Sequence, residues 1–392
     1  MRLDPVARKA RIVTREDVIR KALEKKITWT QAASICRVTA RHMRRLRERY
    51  ELFRIDGLRD RRTGKRQPTR LDPKLVEELC RLKRDVYADF SVRHFHEFVT
   101  SRRHKLKISY SWTRIVLQTR GLVNKAPGRG KYRRKRERRP MVGMLVHQDA
   151  STHAWLKGLP MADLVITLDD ADGRILQGQF VEQEGTMSSL QGIAAVLRRY
   201  GRFCEFYTDR GGHYCHTSDA GQGPDEIQDG QVPRVLKTLG IRHILARSPE
   251  ARGRSERAFG TIQGRLPQAL ALAGIRDYAA ANAYLQKHFI PDFNRRFTVK
   301  PESSDSAFIP LAGIDLDLLV SVQHQRVVQK DSTVVFGKLH LQLPPGRERS
   351  HYIRCPVVVH ELVNGRLAVS YQGKRIALFD RQGTLLPLRA AA

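Results

Sequence analysis

The stretch FYTDRGGHYC, residues 206–215, runs an apolar triplet into Asp209 and follows it with a glycine pair. A carboxylate at such a junction either opens a turn by accepting backbone N–H groups or holds a metal ion at the end of a strand. Other carboxylates converging on the same place would separate the two readings. MVGMLVHQDAS (141–151) predicts a strand over 142–150 that ends at Asp149, and CEFYTD a strand over 204–208 that ends at Asp209. If the two strands lie side by side and parallel, both carboxylates emerge at one sheet edge, where binding sites of α/β sheets gather. Asp169 and Asp170 close the strand DLVITLDDADG (163–173), which runs the other way, so they belong at the opposite edge as turn residues.

A third oxygen ligand is offered by SPEARGRSERAFGTIQGRL (248–266), read as a helix with Ser255, Phe259, Ile262 and Leu266 on its buried stripe. Glu256 flanks that stripe near the helix start. Taken alone it is equally a first-turn acid favoured by the helix dipole. As a set, Asp149, Asp209 and Glu256 suit Mg²⁺, which prefers carboxylate oxygen and keeps water. Two such ions about 4 Å apart can activate an attacking oxygen and stabilise a leaving one in phosphodiester displacement. Arg252, Arg254 and Arg257 surround Glu256 and are candidate phosphate contacts.

The neighbouring pattern predicts three antiparallel strands (141–151, 163–173, 174–185), with Asp172–Gly173 as a hairpin signal. A helix over 186–200, the strand 204–208, a polar excursion over 216–231, a helix over 232–239, the strand IRHILA (241–246) and helices over 252–272 and 277–292 follow. This order is α/β with a mixed sheet.

The chain has 392 residues, long enough for several domains, and carries 72 Lys and Arg against 40 Asp and Glu, a net charge of +32. That excess points to a polyanionic partner, nucleic acid first. Five cysteines at 36, 80, 204, 215 and 355 form no paired framework, as expected in a reducing cytosol. Cys204, His213, Cys215 and His216 could be imagined around zinc, but no CxxC pair supports it. No signal peptide or membrane span is visible, so a soluble, cytoplasmic protein without a membrane partner is expected.

Residues 16–50 predict a helix-turn-helix: Thr28 caps a helix over Trp29–Ile35, a turn falls at Cys36–Val38, and Thr39 caps a second helix. Ala32, Ala33, Val38, Met43 and Leu46 supply its packing. The second helix shows Arg41, His42, Arg44 and Arg45 to a DNA groove, and Arg37 stands where such turns favour glycine. A second helical block over about 73–122 is read as a second helix-turn-helix, with or without a wing, and has Ser109 or Ser111 as a cap. The run 125–140, with Arg133, Arg134, Lys135 and Arg136, predicts a linker lying along phosphates. From about 320, short alternating segments with turns at 330–332, Asn364–Gly365 and Gln372–Gly373 predict a small all-β barrel. The domain boundaries are thus 1–60, 61–124, 125–140 (linker), 141–300 and 301–392.

HQDASTHAWL, YTDRGGHY and ARGRSERAFGTIQGRL resemble the Asp-Asp-Glu signature blocks of the retroviral-integrase and transposase superfamily, most closely bacterial insertion-sequence transposases of the ISNCY type. The resemblance implies a ribonuclease-H-like core in which Asp149, Asp209 and Glu256 match the metal-binding triad. It further implies Mg²⁺-dependent cleavage (Mn²⁺ able to substitute) at the terminal inverted repeats of an element, strand transfer into double-stranded target DNA, and assembly as a homo-oligomer on DNA. Two departures stand out: Arg210 replaces a frequent Asn, and the separation of Asp209 from Glu256 is longer than in many relatives. A bacterial, nucleoid-associated location goes with this reading. Two alternatives remain open: a catalytically inactive DNA-binding regulator of the same fold, and a ribonuclease-H-like nuclease.

Overall fold

The computed structural model describes residues 5–59, 72–101, 104–125, 137–215, 230–246, 253–346 and 349–388. The connector 60–71, the basic stretch 126–136 with Arg133, Arg134, Lys135 and Arg136, the excursion 216–229 and residues 247–252 with Arg252 lie outside them. The chain divides into two compact units, 1–78 and 79–392.

The first unit is built on α1 (Pro5–Leu23), α2 (Trp29–Ile35) and α3 (Ala40–Gly57). Thr28 starts α2 through a reciprocal capping box: Gln31 N donates to Thr28 Oγ1 and Thr28 N to Gln31 Oε1. Thr39 Oγ1 accepts from His42 N at the start of α3. Ala32, Ala33, Met43 and Leu46 are buried with Val18, Ile19 and Tyr50, and Val38 packs against them. Arg37 holds the inter-helix turn in the left-handed region at φ 50°, the conformation for which glycine is the natural residue. Arg41, His42, Arg44 and Arg45 are exposed on α3.

In the second unit, the end of α4 (Pro73–Arg81) continues as a π-turn, Leu82–Val86, followed by α5 (Val92–Thr100) and α6 (Tyr110–Thr119). Ser91 and Ser109 cap α5 and α6 by accepting from His94 N and Trp112 N. The Lys83 ammonium is buried and donates to the carbonyls of Tyr87, Ala88 and Phe90, which satisfies its three N–H groups. Among the described residues no strand lies between α6 and residue 145. Nor does this block stand apart from the core. Glu97 of α5 accepts from Arg265 Nη1 and Nη2 at 2.6 and 2.9 Å and from Arg296 Nη1 at 2.9 Å.

The central sheet contains β1 (Leu145–His153), β2 (Ala162–Asp169), β3 (Ile175–Val181), β4 (Glu205–Thr208) and β5 (Arg242–Leu245), in the order β3-β2-β1-β4-β5. β1–β2 and β2–β3 are antiparallel, whereas β1–β4 and β4–β5 are parallel. One apolar layer joins the sheet to α7 (Thr186–Tyr200) and α8 (Gln231–Thr238) through Leu190, Ile193, Val196, Phe206, Val232 and Leu236. Another joins it to α9 (Gly253–Gln263), α10 (Leu266–Leu272), α11 (Tyr278–Tyr284) and α12 (Ile290–Phe297). Both sheet faces are therefore covered, which is why β2 is buried along nearly its whole length rather than on alternate residues. Edge strand β3 is closed by side-chain amides that imitate a neighbouring strand. Asn282 both accepts from Phe180 N and donates to Phe180 O, and Asn294 does the same for Ile175.

The C-terminal region opens with α13 (Leu316–Leu319) and continues with β6 (Ser321–Val327), β7 (Thr333–Phe336), β8 (Leu339–Gln342), β9 (Pro356–Leu362), β10 (Leu367–Tyr371), β11 (Lys374–Phe379) and β12 (Leu385–Leu386). Among the described residues the expected barrel does not close. The strands form an open antiparallel sheet in the order β12-β11-β10-β9-β6, beside the separate hairpin β7–β8. Among the described residues β12 and β6 remain edges. The predicted turns hold: Ser332, Gly365, Gln372 and Gly373 all have positive φ.

Candidate active site on the central sheet

The relation between Asp149 and Asp209 follows from strand pairing. β1 and β4 run parallel, with Leu145 opposite Glu205, Val146 opposite Phe206 and His147 opposite Tyr207. Two more steps along that register bring Asp149 level with Asp209, one residue past the end of β4. Asp149 does not end its own strand, because β1 continues to His153 through pairing with β2. It lies where the parallel partner stops. Asp149 is buried, and Ala150 N donates to its Oδ1 at 2.9 Å. Asp209 is the turn residue its glycine context suggests: Gly211 N donates to its Oδ1 at 2.9 Å. Being a turn residue therefore does not remove it from the strand-end position.

Glu256 lies exposed in the first turn of α9, and Ser255, Phe259 and Ile262 form the buried stripe expected of that helix. Gln263, further along α9, donates to Ser151 Oγ at 2.9 Å, so the helix tracks β1. Among the described residues no three His, Cys, Asp or Glu side chains are grouped tightly enough to hold one ion. This covers both the acidic triple and Cys204, His213 and Cys215; His216 lies outside the described residues. The Nε2 of His213 lies 3.4 Å from Glu184 Oε1.

The segments bearing the two aspartates are tied together by a buried polar network that the sequence did not announce. Tyr214, five residues beyond Asp209, is 1% exposed and donates its hydroxyl to Gln148 Oε1 at 2.8 Å. Gln148 immediately precedes Asp149 and donates from Nε2 to Thr167 Oγ1 at 3.2 Å and to Ser189 O at 3.3 Å. Ser189 Oγ donates back to the Tyr214 hydroxyl at 3.1 Å. Burial and the nearby Glu184 charge push the Tyr214 phenol well above its usual range, so it stays a donor. Gly192 makes room for this network. A Cβ there would stand 2.2 Å from Gln148 Nε2 and 3.1 Å from Thr167 Oγ1.

Asp169 and Asp170 do sit at the opposite end of the sheet, but they are more than turn residues. Both are 1% exposed. Asp169 accepts from Gly143 N at 2.7 Å and from Ala171 N at 2.9 Å. Burial outweighs these bonds and pushes its carboxyl up to about 6. Asp170 accepts from Arg139 N at 2.8 Å and pairs with His147 Nε2 at 2.7 Å and with the Arg254 guanidinium. Burial alone would raise its carboxyl. The His147 hydrogen bond, the Arg139 amide and the positive charge nearby outweigh burial and hold it well below the usual carboxylate range.

Arg254 must accordingly be reassigned. Its side chain is 19% exposed and is spent on Asp170 and on two carbonyls, so it does not present a free guanidinium to a phosphate. Arg257 is exposed on the same helix. The run DDADGR (169–174), which sets three aspartates against an apolar strand, was the available signal for the buried cluster. Tyr214, Gln148 and Gly192 had no signal, because each matters only through its distant partners.

A family model described as a helix-turn-helix domain matches residues 14–66. The chain is 28% identical over 383 residues to the candidate transposase y4bF of Sinorhizobium fredii (strain NBRC 101917 / NGR234), covering 96% of this chain and 82% of that protein. It is 27% identical over 240 residues to the transposase for insertion sequence IS1202 of Streptococcus pneumoniae, covering 61% of this chain and 51% of that protein. Among solved structures, the simian T-cell lymphotropic virus intasome in complex with PP2A regulatory subunit B56 gamma matches at 13% identity and a TM-score of 0.36, over 77% of this chain and 100% of that chain. The HTLV-2 integrase catalytic core domain in complex with magnesium (dimeric form) matches at 13% identity and a TM-score of 0.29, over 38% of this chain and 88% of that chain. These structural scores are low, and the relation rests on the sequence matches. The chain is similar in sequence to proteins named as transposases. One of these is the transposase of an insertion sequence of Streptococcus pneumoniae.

Proposed function

We propose that this protein is a DNA transposase in which Asp149, Asp209 and Glu256 carry out metal-dependent cleavage at the ends of an insertion sequence and transfer of those ends into target DNA. The parallel register of β1 and β4 is the observation that supports this reading, since two further steps along it set Asp149 level with Asp209. An all-oxygen donor set matches the preference of Mg²⁺. Asp149 and Asp209 would hold a first ion, and Glu256, exposed on the first turn of α9, would supply the third carboxylate. When bound, Mg²⁺ neutralises charge on the phosphate and activates the attacking oxygen.

The chain's own residues supply position. The Tyr214–Gln148 bond holds the Asp209 loop against the strand bearing Asp149. Arg257, exposed one residue after Glu256, is available to a phosphate oxygen. Water attacks the phosphorus, a new P–O bond forms, and the 3′ oxygen leaves as a hydroxyl. That hydroxyl then attacks a target phosphodiester, displacing the target's own 3′ oxygen. No protein side chain is bonded to DNA at any stage.

In this reading 1–60 reads the terminal repeats, with Arg41, His42, Arg44 and Arg45 facing the groove. Residues 61–124 and the basic stretch 125–140 contact backbone, 141–300 forms the catalytic core, and 301–392 grips DNA. The protein works as a homo-oligomer on paired DNA ends in the bacterial nucleoid. Nicking of a supercoiled plasmid carrying the DNA that flanks the gene, with and without Mg²⁺, tests the proposal. Wild type nicks, and Asp149→Asn and Asp209→Asn lose at least a hundredfold in rate. Equal nicking by wild type and Asp209→Asn rejects the assignment. The rival reading is a DNA-binding regulator of the same fold, whose signature is binding to that DNA with no nicking by wild type.

A further inference from the structure

One buried carboxylate, at the far end of the sheet from Asp149, gathers four segments of the second unit. Asp170 follows β2, and its backbone N donates to Leu145 O at the start of β1. Its carboxylate takes His147 Nε2 from β1, the Arg139 backbone N–H from the segment entering the core, and the Arg254 guanidinium from α9. Its carbonyl accepts a second time from Arg254 Nη1, at 2.9 Å, and from Arg138 Nη1, also at 2.9 Å. The other arm of the Arg254 fork, Nη2, reaches Glu137 O at 2.7 Å. Arg254 therefore pins the first turn of α9 to the sheet and to the entering segment at once, two residues before Glu256.

We infer that Asp170, acting through Arg254, is the positioning residue that sets where the first turn of α9, and with it Glu256, stands relative to Asp149. The inference rests on the reading of Glu256 as a catalytic acid. Three physical points support it. A charge-assisted pair at a buried site is short and directional, so it fixes a helix start better than apolar packing does. The opposite end of α9 is held independently, by Gln263 on Ser151. A helix pinned at both ends against β1 leaves Glu256 little freedom to shift along the strand. Residues 137–139 share the same anchor, so a pull on the entering segment is transmitted to α9 through one carboxylate and one guanidinium.

The test uses the full chain and the variants Arg254→Gln, Arg254→Lys and Asp170→Asn. Amide hydrogen exchange of residues 253–258 is read beside the Mg²⁺ dependence of plasmid nicking. Arg254→Gln is expected to speed exchange in the first turn of α9 at least tenfold, while the turn around Gln263 keeps its protection. Its nicking rate falls at least tenfold and its half-saturating Mg²⁺ rises, with DNA affinity unchanged. Arg254→Lys, which keeps the charge and loses the fork, recovers part of both. Asp170→Asn reproduces Arg254→Gln if it folds; if it does not, the two Arg254 variants decide alone. Unchanged exchange in Arg254→Gln overturns the inference, as does equal loosening along all of α9 and α10. Wild-type nicking by Glu256→Gln sinks the catalytic reading instead, and the exchange result then still decides whether Asp170 fixes the helix start.

Discussion

Gly192→Ala isolates the buried network beside the two aspartates. In an ordinary exposed helix this change is favourable by about 1 kcal/mol. Here the added methyl would stand 2.2 Å from Gln148 Nε2, a contact that must be relieved. Gln148 cannot simply swing aside, because it is held by Thr167, Ser189 and Tyr214. Overpacking of this kind costs about 1–3 kcal/mol, and two displaced buried hydrogen bonds about 1 kcal/mol each. Set against the helix gain, the net loss is roughly 2–4 kcal/mol, or a fall in Tm of about 3–6 °C for a unit of this size. Thermal unfolding by circular dichroism reads it. The companion variant Gln148→Ala opens the space, so the double variant should be less destabilised than the two single changes summed, with a coupling of about 1–2 kcal/mol. A Tm that holds or rises in Gly192→Ala refutes the close approach and, with it, the role given to Gln148 and Tyr214.

Acid should weaken the second unit well above the usual carboxylate range. Burial lowers His94, His243 and His360 from 6.5 to about 4, so each contributes stability above 6.5 that is lost as pH falls toward 4. At roughly 3 kcal/mol apiece this exceeds the opposite contribution of Asp169, whose raised carboxyl favours the fold as pH falls below about 6. Urea midpoints at pH 7 and pH 5 should therefore differ clearly, and His360→Gln should flatten the difference; a flat profile in wild type counts against these buried neutral imidazoles. Arg37→Gly should raise the stability of the isolated helix-turn-helix unit by about 1 kcal/mol, read by its urea midpoint, because glycine adopts φ 50° without the Cβ clash. Glu97→Ala should lower the Tm of the second unit by an amount equivalent to roughly 2 kcal/mol, since it leaves the largely buried Arg265 without its carboxylate. An unchanged Tm would mean that α5 is held to the core by other contacts.

Among the described residues no helix is long and apolar enough to cross a membrane, and the net charge of +32 suits a nucleic-acid partner. The helix-turn-helix match and the transposase relatives agree with that charge.

Local features were legible in the chain. Thr28 and Thr39 cap the helices they were expected to cap, α2 and α7 fall on the predicted residues, and the Asp172–Gly173 turn closes its hairpin. Caps, glycine turns and apolar periodicity act over a few residues, so sequence alone determines them. It also supplied the alternation of strand and helix from which a parallel β1–β4 pair could be anticipated. Other features depended on chain segments meeting across a hundred residues or more. Only the fold could show that the block at 79–125 locks onto the core through Glu97, and that the C-terminal strands stay open rather than closing a barrel. The same holds for Arg254, drawn inward to Asp170 instead of outward to DNA. A guanidinium looks the same in the chain whether its carboxylate lies nearby or nowhere. Burial by remote segments makes that difference, and it exists only once the sheet and its helices have packed.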